Sequence, residues 1–345
     1  MRTQFEGRRE SREWAALFGV VAVALSAAVP WLSSSLLVNS ITNQILVAVP
    51  AALSIYLMLR MNLISFAAPA FMCIGGYAAG VAALGGLTNV ILLTGISFIV
   101  PALIALPLGA LVLRLKGVYF VLVTYVFTEI VQLLLLEFPA WTGGSNGLAG
   151  IPSTTLFQWS FVDNRAVLSV AAVIALCATL ITLAVTGAFR RQFGGIQENE
   201  LLARSLGLVV WRYKALGFVV AAGLAGLAGF SLVNMLLTAN PSSFSSATAV
   251  TYVAYAFVGG AGTLLGPILG TAVLVWAANY FSIGGEYSQG LFGVFVILIV
   301  LIAPGGITGQ LERLIIWFCR RRPGRGSSGS KLAPTSVPGG RNVEG

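Results

Sequence analysis

Apolar stretches of about twenty residues alternate with short polar or Gly-rich breaks along most of the chain. Ten such segments stand at about 15–32, 36–59, 64–84, 89–113, 117–138, 166–189, 214–238, 247–260, 266–281 and 289–304. A helix rises ~1.5 Å per residue, so about twenty apolar residues cross ~30 Å of hydrocarbon. Backbone groups in lipid must find partners within their own segment, which makes such runs helices. The short alternating strands of a membrane barrel do not occur in the pattern. The reading is an all-α, polytopic transmembrane helical bundle of about 10 membrane segments (8–10). Segment 247–260 is too short for a straight crossing and is expected to be re-entrant or partly unwound.

The polar breaks orient this bundle. With the N-terminus inside, the inner stretches contain Arg60, Arg114, Lys116, Arg190, Arg191, Arg204, Arg212, Lys214 and Arg313, and of the 20 Lys and Arg only Arg165 falls outside. Lys and Arg collect in cytoplasmic loops, so the expected topology is N-in/C-in. The first segment follows Arg2, Arg8, Arg9 and Arg12 as a signal peptide would, but Trp31 and the later spans favour an uncleaved helix. The organisation expected is a cytoplasmic N-terminal segment 1–14, a transmembrane domain 15–307 with a cytoplasmic loop 190–214, and a basic tail 308–345. The tail is rich in Arg, Gly, Ser and Pro and is expected to be disordered. Ten spans divide into five and five, and an odd number per half would give the inverted-repeat arrangement of many transporters.

Composition agrees with the pattern. Hydrophobic residues make up 57% of the 345 and charged residues 9%, against roughly 25% charged in soluble domains. The excess of base over acid reads as loop topology rather than nucleic-acid binding. The sequence contains no histidine, which removes the commonest proton shuttle and any Ser-His-Asp or Cys-His triad within the chain. It contains no G-x-x-x-x-G-K-[ST] phosphate loop. Cys73, Cys177 and Cys319 have no metal-ligand spacing and read as small hydrophobes. These features point to a transport subunit rather than an enzyme, with no cofactor of its own.

Three segments depart from plain apolar spans. In Leu63–Gly80, Pro69 and the pair Gly75-Gly76 are expected to interrupt a membrane helix near Ser65, although small residues there also serve close packing. In the fifth segment Glu129 lies near mid-span with Thr124, Tyr125 and Thr128 nearby. An intramembrane carboxylate costs several kcal/mol unless it faces a cavity or a partner. Glu129 is therefore a candidate for the solute pathway or a gate, or a protonated structural glue residue. In the loop 190–214, Ile196–Gly207 reads as one short amphipathic helix ended by Gly207 at C′. Leu201, Leu202 and Leu206 give it an apolar face and Glu198, Glu200 and Arg204 its charge, with Glu200 and Arg204 at i,i+4 spacing. Such a helix is a surface linker or a docking element for a cytoplasmic partner.

At these residues the chain resembles the LivM-like permeases of branched-chain amino acid ABC importers. The resemblance runs in order through LRLKGVYFVLVTYVFTEIVQLL, TGGSNGLAGIP, IQENELLARSLGLVVWRYKALGFVVAAGLAGLAG, NPSSFS, FVGGAGTLLGPILGTAV and APGGI, over roughly residues 36 to 307. It implies a subunit of the bacterial cell (inner) membrane that moves solute by alternating access. The implied partners are a sister permease, two cytoplasmic ABC ATPases that bind the ATP, and an extracytoplasmic solute-binding protein. It assigns Glu198–Gly207 to the ATPase-docking coupling helix, with the importer signature falling at Leu202, Ala203 and Gly207; Leu201 stands where that signature has Glu. Gly75, Gly76, Gly259, Gly260 and Gly262, with Ser65, Thr124 and Glu129, are the candidate pathway or gate residues. The chain departs from the family at Ser65–Phe71, where Gly and His are replaced, at Asn146 for Asp and at Gly306 for Arg. The cargo is thus a branched-chain amino acid, urea, a short amide or another small polar solute. The alternative is a secondary transporter in which Glu129 couples to an ion or proton.

Overall fold

A computed structural model of the chain describes residues 17–26, 35–156, 159–161, 163–282, 288–303 and 305–310. The N-terminal segment 1–14 and the tail beyond 310 lie outside the described residues. The helices are α1 (Leu17–Ser26), α2 (Leu36–Leu59), α3 (Ala68–Leu84), α4 (Val90–Val112), α5 (Val118–Glu137), α6 (Asn164–Ala188), α7 (Arg190–Glu198), α8 (Glu200–Ser205), α9 (Val210–Leu236), α10 (Ser246–Gly259), α11 (Leu265–Phe281) and α12 (Ser288–Ile302). A two-residue hairpin, β1 (Thr155–Leu156) with β2 (Trp159–Ser160), pairs Thr155 with Ser160 and Leu156 with Trp159.

The chain is an all-α helical membrane protein. Among the described residues six stretches are long and apolar enough to cross a membrane: α2, α4, α5, α6, α9 and Gly290–Gln310. The expected segment 64–84 is helical only from Ala68, and α10 has 14 residues, about 21 Å at ~1.5 Å per residue. The short eighth segment is therefore a short helix rather than an unwound one.

α9 is the hub. It packs against α2, α3, α4 and α6, while α10 and α11 pack on each other and on α2. Its sequence VVAAGLAGLAGF supplies little side-chain bulk, so neighbouring backbones come close. A Cβ on Gly75 of α3 would overlap the Gly226 backbone of α9 and lie 2.8 Å from the Ser97 carbonyl of α4. Pro101, four residues on, has no N–H to give that carbonyl an intrahelical bond. Gly76 faces the Gly229 carbonyl in the same crossing. These positions correct one expectation. Gly75 and Gly76 do not interrupt α3, which is continuous, and the break lies ahead of Pro69 in its first turn.

The connections sort to two ends. At one end Arg60, after α2, meets Gln197 of α7, and Glu200 of α8 lies in the field of Lys116, between α4 and α5. At the other, Leu148 bridges Ala239 and Thr155 pairs with Thr88 and Asn89. The connections following α2, α4 and α6 share the first end; those following α3, α5 and α9 share the second.

α5 is open along most of its length. Phe120, Thr124 and Thr128 form its buried stripe, while Leu122, Val126, Ile130 and Leu133 are exposed. In so apolar a chain these faces are made for lipid or another subunit.

Candidate functional site

The loop 190–214 is built from two helices rather than one, which corrects the single-helix expectation for Ile196–Gly207. Asn199 is extended (φ −158, ψ 108) and separates α7 from α8. Its side-chain oxygen accepts from the Leu202 N–H at 3.1 Å. That is an N-cap, the role for which Asn is favoured because it satisfies an otherwise unpaired donor of the first turn. Glu198 and Glu200 therefore sit on different helices. At the far end Gly207 takes φ +85, and the bonds Leu208 N–H to Ala203 and Gly207 N–H to Arg204 close a Schellman turn. The expected C′ glycine is in place.

The element has two faces. Ile196, Ala203 and Val210 are buried together, so Ala203 is an anchor of the element and not part of its open face. Leu201, Leu202 and Leu206 are 71%, 58% and 79% exposed. Three exposed leucines within six consecutive residues are costly to leave in water and form a surface suited to a partner.

Glu200 fastens the element to the bundle. Its carboxylate accepts from Lys214 Nζ of α9 at 2.8 Å and from Arg204 within α8. Partial burial pushes this carboxyl up, but the Lys214 hydrogen bond and the charges of Lys214, Arg204 and Lys116 outweigh it and hold it below the ordinary carboxylate value. From sequence, Lys214 and Lys116 served only as topology markers. A residue fourteen positions away gives no periodic signal, so the Glu200–Lys214 pair was not legible in sequence.

Between α2 and α3 the chain is non-helical. Asn62, at φ +57, closes α2 with bonds from Asn62 N–H to Leu59 and Leu63 N–H to Met58. Ser65 is buried, and its Oγ accepts from the Ala67 N–H at 3.2 Å. The Phe66 peptide, freed from any helix, is held by α5: its N–H donates to Thr124 Oγ1 at 3.1 Å, and its carbonyl accepts from Thr128 Oγ1 at 2.9 Å. This is how irregular backbone survives inside a bundle. Ser65 also lines a small cleft with Ser54, Met58, Phe71 and Phe218. Nothing in the sequence alone gave Thr128 or Gln197 a role.

The candidate pathway residues do not converge. Ser65 and Thr124 meet around Phe66, whereas Gly75 and Gly76 lie in the α3–α9 crossing. Gly259 and Gly260 lie where α10, α11 and 305–308 meet, with Thr308 Oγ1 donating to the Gly259 carbonyl at 2.9 Å. Gly260 takes φ +102 there, while Gly262 is exposed with open space around it. Glu129 is partly buried on the more open side of α5 and makes no hydrogen bond or ion pair with a described residue. Tyr125, one turn before it, reaches Ser246 of α10 at 3.4 Å.

Residues 36–304 match the family described as branched-chain amino acid transport system / permease component. The chain belongs to that family. Among curated relatives of this family member, the high-affinity branched-chain amino acid transport system permease protein LivM of Salmonella typhimurium is 31% identical over 224 residues, covering 58% of this chain and 53% of the relative. LivM of Escherichia coli matches with the same figures. LivH of Salmonella typhimurium, described as a permease protein of the high-affinity branched-chain amino acid transport system, is 29% identical over 192 residues, covering 52% of this chain and 62% of the relative. The chain thus spans about half the length of the LivM relatives it matches. No solved structure matches it.

Proposed function

We propose that this chain is the membrane-spanning permease subunit of an ATP-binding cassette importer for a small polar solute. The solute class is a branched-chain amino acid or a related amino acid, amide or urea. The observation that carries the reading is the α7–α8 element, pinned to the bundle through Glu200 and Lys214 while presenting Leu201, Leu202 and Leu206 outward. Such an element transmits force from a separate motor: its exposed face suits a groove on a cytoplasmic ATPase, and its buried face moves the helices behind it. The end holding Arg60, Lys116 and Lys214 is then cytoplasmic. In this reading ten segments cross or enter the inner membrane with both termini inside, in two halves of opposite orientation. The open face of α5, with Glu129, meets a sister permease, and an extracytoplasmic binding protein delivers the solute. ATP can drive the switch between outward- and inward-open states only through its different affinity for the two.

Reconstitution tests this. The chain is placed in proteoliposomes with its sister permease, ATPases and binding protein, and radiolabelled leucine, valine, acetamide and urea are offered. ATP-dependent accumulation that requires every component is the expected result. Accumulation by this chain alone, driven by an ion gradient and lost in Glu129→Gln, would instead show a secondary transporter and sink the importer reading.

A further inference from the structure

Arg60 is almost completely buried, at 8% exposure. Its Nη1 donates to Gln197 Oε1 of α7 at 2.9 Å, its Nε has no partner, and no carboxylate pairs with it among the described residues. A guanidinium so placed is expensive to bury, and a single neutral acceptor compensates it incompletely. The contact joins residues 137 positions apart, across the junction between the α7–α8 element and the membrane helices.

The residues just after Arg60 give the contact its consequence. Met61 is fully buried and fills the space beside Gly217 of α9, where a Cβ would meet the Met61 side chain. Five residues further on, Phe66 is held by Thr124 and Thr128 of α5. The segment from Arg60 to Phe66 therefore touches α7, α9 and α5 in turn, and it contains Ser65 at the cleft. Being non-helical, it can change shape without breaking a helix, unlike α3 or α9.

We propose that the Arg60–Gln197 contact is a transmission link: movement of the α7–α8 element reaches the Arg60–Phe66 segment, and through it α5, by way of this hydrogen bond. Arg60 and Gln197 are positioning residues that touch neither ATP nor solute. Incomplete compensation of Arg60 keeps the link breakable, so that the element can pull on the segment in one state and release it in another. The inference rests on the importer reading and adds to it the route by which docking reaches the bundle.

The test uses the complete reconstituted complex and reads ATP hydrolysis and uptake together, with whichever of radiolabelled leucine, valine, acetamide and urea the wild type accumulates. Gln197→Ala should leave ATPase co-purification and ATP hydrolysis intact while uptake per ATP falls by about fivefold or more, the lower range of typical coupling effects. Arg60→Gln should do the same. The double variant should be no worse than either single one, because both remove one interaction. Gln197→Glu gives Arg60 a carboxylate and should act oppositely on the motor, slowing ATP hydrolysis by holding the link closed. Because Gln197 lies at the surface end of the contact, its two variants keep the test valid even if Arg60→Gln fails to fold. Unchanged uptake per ATP in Gln197→Ala, or additive losses in the double variant, would overturn the link alone. A wild-type complex without ATP-driven uptake would overturn the importer reading and this inference with it.

Discussion

Gly229 of α9 sits against the backbone of α3, and Gly229→Ala is expected to force the two helices apart. A Cβ built there would overlap the Met72 carbonyl oxygen and lie 2.6 Å from the carbonyl carbon and 2.8 Å from the Cα. Carbon pairs are optimal at about 3.5–4.0 Å, so relief requires the helices to part by roughly 1 Å. All three atoms are main chain, and none can rotate aside. A gap of about 0.5–1 Å forfeits a quarter to a half of each dispersion contact it opens. Alanine's better helix propensity returns only ~1 kcal/mol. Overpacking of well-filled interiors costs about 1–3 kcal/mol and occasionally more, and the rigid partner here argues for the upper end. That leaves a net loss of roughly 2 kcal/mol, and at roughly 2–4 °C per kcal/mol the melting temperature of the detergent-purified chain should fall by about 4–8 °C. Gly95→Ala in α4, with open space around its Cβ position, is the matched control and should melt at or slightly above wild type. Melting followed by size-exclusion fluorescence decides it. Equal melting of the two variants would refute the close-contact reading of the α3–α9 crossing.

Thr128→Val should leave the Phe66 carbonyl without its donor and cost about 1–3 kcal/mol, as a buried unsatisfied group does; Thr128→Ser should recover most of it, and denaturant or thermal melting in detergent measures both. Asn199→Ala removes the cap of α8 at a cost of about 1 kcal/mol, seen as faster amide exchange at Leu202 and Ala203 with no change in α9. Lys214→Met should loosen the α7–α8 element, raising exchange there about tenfold, or roughly 1.4 kcal/mol of local opening. The Glu200 carboxyl is held below its ordinary value of 4.5. Its contribution is therefore complete above that value and is lost as pH falls through the folded value. Protection of residues 200–208 should thus be flat near neutrality and decline only in acid, and Glu200→Gln should abolish that decline.

The span pattern was legible because burial in hydrocarbon imposes a length and an apolar composition on each segment separately. Nine of the ten apolar segments coincide with observed helices within a few residues, and the first overlaps α1. Turn chemistry was legible for the same local reason: Gly207 at C′ follows from its freedom to take positive φ. The break at Asn199 was also available, since Asn followed by Glu-Leu-Leu is an N-cap signal, but the apolar period running through it concealed the boundary. Similarly, Gly75-Gly76 carries the same local signature whether it breaks a helix or lets two helices touch. Only the position of Gly226 and Gly229 across the gap separates those cases.

By itself, then, the sequence determined that this chain is a bundle of membrane helices, which loops are basic, and that the loop helix stops at Gly207. Those properties depend on the solvent and on neighbours within one or two turns. Tertiary structure alone decided that Glu200 is tied to Lys214, that Arg60 reaches Gln197, that Thr124 and Thr128 hold Phe66, and that Glu129 lies on an open face. Each of these joins positions that are distant along the chain, or sets one helix face against its surroundings. Hydrophobicity is nearly uniform around these helices, so no periodicity marks which face turns inward, and only the packing of one backbone against another settles it.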